Sequence, residues 1–297
     1  MKVLISGASG LVGKAISEPL SKEGHQILSL VRKEPKNQDE VRWNPEKEVK
    51  EISKLEGVDA VVHLAGENVG DGRWTEEKKK RIRDSRVIGT KVLCDALLKL
   101  STPPELFISA SAIGYYGDRG DEILTEESSA GNDFLAKTCV EWEDASEGLQ
   151  ERGIRLIHAR FGVILSKEGG ALDKMLTPFK LGIGGRIGDG TQYMSWIAID
   201  DVIAITEYLL RDKNLSGKFN LTSPNPVTNL EFTKTLGKII SRPTFFFVPK
   251  FALRIAFGEM ADAALLSSTR VIPKRLVDSG FKFKFSNLEN ALRHILK

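Results

Sequence analysis

Three features of this 297-residue chain predict an α/β fold of Rossmann type, a doubly wound parallel sheet with a smaller α+β C-terminal domain. Short apolar runs alternate with helical patterns through the first half, as parallel strands joined by crossover helices require. Gly7, Gly10 and Gly13 follow the first apolar run directly and open a helical pattern. Beyond Arg160 the alternation loosens into a glycine-rich stretch (Gly182 to Gly190) and short helices. The expected division is a Rossmann domain over 1–160 and a lid domain over 161–297. The two are partly interleaved, because 195–222 reads as a return to the sheet.

Taken in order, Val3-Leu4-Ile5 reads as a buried strand followed by a helix to Lys22. Ile27 to Val31 and Asp59 to Leu64 read as further strands. Ile82, Ile88, Val92, Leu93, Ala96, Leu97 and Leu100 recur at three- and four-residue spacing. That spacing predicts a long helix over about 75–100, stopped by Pro103-Pro104. Leu106-Phe107-Ile108 starts the next strand, a helix is expected over about 134–151, and a strand over 154–159. A strand candidate around Trp196, a helix over 201–210 and a return strand at Phe219 to Leu221 follow. Phe245-Phe246-Phe247-Val248 reads most simply as a buried strand of the small domain.

Composition narrows the function classes. Hydrophobic residues make up 41% and charged residues 28%, which excludes disorder as the main state. Lys+Arg 43 against Asp+Glu 40 leaves a net charge of +3, too little to indicate a nucleic-acid partner. The basic run Lys78 to Arg81 is interrupted by Glu76, Glu77 and Asp84 and reads as a solvated helix face. Apolar stretches run only a few residues, so no membrane span and no membrane partner are expected. No basic leader precedes the first strand, and Cys94 and Cys139 lack C-x-x-C spacing, so a cytoplasmic protein with reduced thiols is expected. His25, His63, His158 and His294 have no second ligand at metal spacing, so no metal is implied. No G-x-S-x-G occurs, which leaves the serines without a nucleophile motif.

The glycine triplet carries the strongest chemical signal. In a strand–turn–helix setting, Gly7 permits the tight turn, Gly10 lets backbone N–H groups approach a pyrophosphate, and Gly13 lets the helix pack closely on the strand. Ser9, Leu11 and Val12 belong to the same dinucleotide cradle, where a helix N-terminus stabilises negative charge. The second strand ends in Arg32-Lys33, where an NAD-preferring fold usually carries Asp or Glu for the ribose 2′-hydroxyl. A guanidinium there suits a 2′-phosphate instead. NADP(H), in preference to NAD(H), is therefore the expected cofactor.

The segments GASGLVG (Gly7 to Gly13), DAVVHLAG (Asp59 to Gly66) and FISASAIGYYG (Phe107 to Gly117) resemble the extended short-chain dehydrogenase/reductase superfamily. More narrowly, the chain is similar to its atypical, nucleotide-sugar-epimerase-like branch, sometimes labelled cell-division-inhibitor-like. HLAGEN (His63 to Asn68), Trp74, SRVIGT (Ser85 to Thr90), FGVIL (Phe161 to Leu165), PFKLGIGG (Pro178 to Gly185) and WIAIDD (Trp196 to Asp201) carry that likeness. So does the tail from Val248, with VIPKRL (Val271 to Leu276) and GFKF (Gly280 to Phe283). The resemblance implies Leu64-Ala65-Gly66 beside the adenosine and ribose, and Ser109 to Ser111 near the nicotinamide. It implies hydride transfer assisted by Ser, Tyr and Lys, with Ser111 and Lys137 in two of those roles and Lys137 also on the nicotinamide ribose. It further implies an epimerase, dehydratase or reductase acting on a hydroxyl or carbonyl of a sugar nucleotide or other small polar substrate. A homodimer through helices flanking the sheet is the assembly implied.

Two positions depart from the pattern. Aligning the family's Y-x-x-x-K on Lys137 puts Asp133 at the proton-donor position, and Arg86 stands where the N-x-x-G-T segment has asparagine. Three readings follow: burial raises Asp133, Tyr115 or Tyr116 supplies the proton, or the standard reaction does not occur. The last would make the chain a catalytically silent NADP(H)-binding regulator.

Overall fold

In the computed structural model, which describes residues 1–297, eight strands form the main sheet: β1 (Lys2–Ser6), β2 (Gln26–Val31), β3 (Glu40–Asn44), β4 (Glu48–Val49), β5 (Ala60–His63), β6 (Leu106–Ala112), β7 (Arg155–Phe161) and β8 (Gly217–Leu221). Their order across the sheet is β8-β7-β6-β5-β1-β2-β3-β4. All neighbours are parallel except β3 and β4. The chain runs outward through β2 and β3 on one side of β1, and through β5 to β8 on the other. The order therefore reverses between β1 and β5, the place where open α/β sheets bind ligands outside the carboxyl ends of their strands.

Helices cover both faces. Helices α1 (Leu11–Lys22) and α5 (Ile199–Arg211) pack side by side. They enclose Val3, Ile5, Ile16, Val62, Ile108, Ile157 and Ile205. On the other face α2 (Glu76–Leu97) buries Leu93 and Leu97 with Leu4, Leu28, Val61, Phe107 and Leu156. Each fully buried side chain of this size contributes about 1.5–3 kcal/mol. The α2 face turned to solvent carries the in-helix pairs Arg81–Glu77, Lys80–Asp84 and Lys91–Asp95. A third core, around Leu165, Leu176, Phe179, Trp196, Phe232, Leu236 and Leu292, joins α4 (Gly170–Lys180), α6 (Asn229–Ile239) and α9 (Leu288–Ile295).

The sequence reading needs three corrections here. The strands β3 and β4 lie at the open edge, and their short Glu- and Asn-bounded segments carry no apolar run. The helix expected over about 134–151 stops earlier, as α3 (Phe134–Asp144), and continues only as a 3-10 turn over Glu147–Arg152. Ser146 ends it, bonding through Oγ both to the Glu143 carbonyl and to His158 Nε2, each at 3.0 Å. The third correction concerns Phe246–Val248, which is a strand paired only with Gly185–Ile187 and is not buried. Phe245 is 91% exposed, Phe246 56% and Phe247 57%.

Register explains how the sheet builds a site. On the α2–α3 face, Leu4, Val61, Phe107 and Leu156 form one cross-strand row. Two residues further along, toward the carboxyl ends, the same face carries Ser6, His63, Ser109 and His158. The row after that holds Ser111, Arg160 and Asn220. One sheet face thus changes from apolar to polar along its strands without becoming exposed. Each of these polar groups has to find its partner inside the protein.

Candidate functional site

The glycine loop sits at the reversal point. Gly7 has φ +72°, and a Cβ there would lie 3.0 Å from the Leu64 carbonyl carbon. A Cβ on Gly13 would lie 2.3 Å from the Gly7 oxygen, so α1 rests on the loop at a distance only glycine allows. Helix α1 begins at Gly10 with no side-chain cap, which leaves its first turn open to an anion. Ser9 and Gly10 are exposed, and Leu11 faces the start of α4, where a Cβ on Gly170 would meet its Cδ2. The start of α4 therefore lies against this loop.

Arg32 and Lys33 follow β2 directly, both exposed and neither engaged with a carboxylate. The nearby Glu67 is held below the usual carboxylate range, chiefly by a 2.7 Å bond from Lys78, with the Arg32 charge a smaller contribution. Leu64, Ala65 and Gly66 continue β5 past the sheet edge. Ser6 Oγ accepts the Leu64 and Ala65 N–H groups at 3.1 and 3.2 Å. Its own proton goes to His63 Nδ1 at 2.7 Å, which leaves His63 Nε2 to donate to Thr90 Oγ1 at 3.0 Å. Trp142 Nε1 donates to the same oxygen at 3.0 Å. Burial lowers His63 to about 4, so the ring is neutral and works as a strut beneath the 64–66 turn.

Arg86, noted in the sequence only as a departure, belongs to this turn. Its Nη1 donates to the Glu67 and Ile82 carbonyls at 3.0 and 2.9 Å, and its guanidinium stacks 5.0 Å over Trp142. A Cβ on Gly66 would come within 3.3 Å of its Cζ. No carboxylate pairs with it, and desolvation lowers its pKa. A lone arginine in the buried stripe of α2, four residues before Thr90, was the signal that could have placed it.

The remaining named residues lie under α3. Ser111 Oγ donates to Glu143 Oε1 at 2.7 Å. Arg160 holds both oxygens of that carboxylate through Nε and Nη2, each at 2.7 Å. Arg160 Nη1 also donates to the Tyr116 hydroxyl at 3.0 Å, which donates onward to Asn220 Oδ1 at 2.7 Å. Tyr115 stacks on the same guanidinium, its ring centre 3.4 Å from Cζ. Ser111, Glu143, Arg160, Tyr116 and Asn220 are all buried. Burial pushes the Tyr116 hydroxyl up to about 12. Burial would also raise Glu143, but the Arg160 bonds and charge outweigh it and hold the carboxyl below its usual range. Ser109 is fully buried on the same face, its Oγ 3.3 Å from the Ala110 carbonyl.

Asp133 is the N-cap of α3 and accepts the Ala136 N–H at 2.8 Å. Lys137, one turn on, is exposed and makes no ion pair. The structure therefore brings Ser111 and Tyr116 into one buried network and leaves Asp133 and Lys137 outside it. No cluster of His, Cys, Asp and Glu is placed to hold a metal ion, and no helix is long and apolar enough to cross a membrane.

A parallel, doubly wound sheet with a close-packed glycine loop at its reversal point defines a dinucleotide-binding protein of Rossmann type. Residues 3–222 match the NAD dependent epimerase/dehydratase family, and residues 248–295 match a domain of unknown function, DUF1731. The chain belongs to that family, with the second domain as its C-terminal extension. It is 43% identical over 290 residues to an epimerase family protein of Mycobacterium bovis, covering 98% of this chain and 96% of the relative. Mouse epimerase family protein SDR39U1 is 35% identical over 300 residues, covering 100% of both. The fold matches the crystal structure of human SDR39U1 with NADPH at a TM-score of 0.91 and 32% identity, covering 99% of each chain.

Proposed function

We propose that the protein binds NADP(H) in preference to NAD(H) and acts with it on a hydroxyl or carbonyl of a small polar substrate of the sugar-nucleotide kind. The observation that carries this reading is the pair of unpartnered cations, Arg32 and Lys33, beside an uncapped helix and a glycine loop that a Cβ would fill. The cofactor supplies or accepts a hydride. The first turn of α1 would hold the pyrophosphate, Arg32 and Lys33 the 2′-phosphate, and Leu64 to Gly66 the adenosine ribose. Arg86 fixes the shape of that turn and offers its uncompensated charge to the phosphates. The relative crystallised with NADPH supports the same choice of cofactor.

A second reading, a catalytically silent NADP(H) binder whose occupancy regulates a partner, is favoured by one observation. Three of the groups expected to move protons are committed elsewhere: Tyr116 to Arg160 and Asn220, Ser111 to Glu143, and Asp133 to the α3 backbone. Purified protein screened against sugar nucleotides and simple carbonyls, with NADPH absorbance as readout, separates the two. Turnover with any member of the panel supports the first reading. Saturable NADPH binding with no turnover and no hydride exchange across the panel supports the second.

A further inference from the structure

We propose that the C-terminal domain docks on anionic lipid bilayers through the strand Phe246–Val248 and the helix α7 (Lys250–Phe257) that follows it. The surface is apolar and unpartnered. Phe245, Phe246 and Phe247 are all more than half exposed, as are Phe251 (65%) and Ile255 (70%), one turn apart on the outer face of α7. Leu181 (70%) and Ile183 (56%) precede the partner strand Gly185–Ile187. Helix α7 is anchored from its inner side, where Leu253 is buried and Phe257 packs in the Trp74–Met260 cluster. The exposed stripe is therefore held outward by packing behind it.

Two features select the occupant. Consecutive strand residues point to opposite faces, so Phe246 and Phe247 expose apolar rings on both sides of a two-stranded sheet. A rigid protein surface covers one side of such a projection, whereas a fluid acyl layer surrounds it. The charges around it are cationic and without carboxylate partners: Lys180, Arg186, and Arg242, whose Nε bonds only to the Lys180 carbonyl at 3.0 Å; Arg186 lies directly opposite Phe247 in the strand pair. The carboxylates at the margin, Asp189 and Asp262, are already taken by Lys250 and Arg254. A second copy placed on this surface would set the two sets of free cations against each other. Aromatic rings projecting from a basic rim are the composition that inserts shallowly into an anionic interface.

Flotation of the full chain with vesicles of phosphatidylcholine alone, and of phosphatidylcholine with phosphatidylglycerol in equal parts, tests the assignment. The protein is expected to float with the mixed vesicles and to bind the neutral ones at least tenfold more weakly, in line with the cationic rim. Arg186→Gln and Lys180→Gln are each expected to lower the partition coefficient about fivefold. Phe247→Ser and Phe251→Ser are each expected to lower it roughly tenfold, with thermal midpoints little changed because each ring is more than half exposed. The two charge variants and a salt titration keep the test independent of any folding defect in the serine variants. Absence of flotation with mixed vesicles, equal partition to both compositions, or a lipid-free dimer that Phe247→Ser dissociates would each overturn the proposal.

Discussion

The two halves of the sheet's carboxyl edge treat their charges in opposite ways. At the β1–β2–β5 end, Arg32, Lys33 and the first turn of α1 have no protein partner, and Arg86 has carbonyls but no carboxylate. At the β6–β7–β8 end, Ser111, Glu143, Arg160, Tyr116 and Asn220 bond one another in one chain, and the Asn220 amide donates to the Ile272 carbonyl. An anion site has to stay unsatisfied until its ligand arrives. A closed network stiffens the sheet and commits the Ser111 and Tyr116 protons to fixed partners. The open end keeps the cations and helix turn that an anion would need, and the closed end commits its buried groups to one another.

Breaking the closed end is expected to have the largest effect. Glu143→Ala leaves the Arg160 guanidinium buried without a counter-charge, which should cost about 3–5 kcal/mol of stability. Urea unfolding reads that loss, and NADPH affinity measured below the transition should stay within about twofold. Acid acts on the open end's support. Because burial lowers His63 to about 4, the folded state binds its proton later than the unfolded chain does. The stabilisation is present above the ordinary imidazole value of about 6.5 and is lost as pH falls toward the lowered one. About 3 kcal/mol from His63 should disappear over that range, and His63→Gln should make the corresponding part of the stability–pH curve shallower without removing it, because burial lowers His158 to about 4 as well.

The next effect falls on the open end alone. A charge-assisted phosphate contact contributes about 1.5–3 kcal/mol, so Arg32→Ala should weaken NADPH roughly ten- to hundredfold and NADH little. Lys33 shares the position, so the double change should lose more than either single one. The smallest effect sharpens the assignment of Asp133. As a helix cap, its replacement by alanine should cost about 1 kcal/mol and leave cofactor binding unchanged. If the protein turns over a substrate, a collapse of kcat in Asp133→Ala without loss of stability would instead make Asp133 the acid.

The open end was readable because its signals are local. Three glycines between a strand and a helix, and two cations at the next strand's end, state their geometry within about thirty residues. The closed end is assembled across more than a hundred residues, from Ser111 to Asn220. In FISASAIGYYG nothing distinguishes a tyrosine facing a cleft from one bonded to a distant asparagine. Ser146, just past α3, bonds His158 on β7, a partner which no helical periodicity contains. The run Phe245 to Val248 misled in the opposite direction. An apolar strand reads as buried because burial is its usual outcome, and only its pairing with one short partner exposes it. Arg86 stood in plain view as a charge in an apolar stripe, but its meaning depended on the Gly66 turn folding back over it.

The contrast between an open cofactor end and a closed relay end rests first on the cations after β2. Calorimetric titration of NADPH and NADH into the wild-type protein and into Arg32→Ala measures them most directly. The account predicts tighter NADPH than NADH binding in the wild type, with most of that difference gone in the variant. Equal affinities for the two cofactors in the wild type would contradict it.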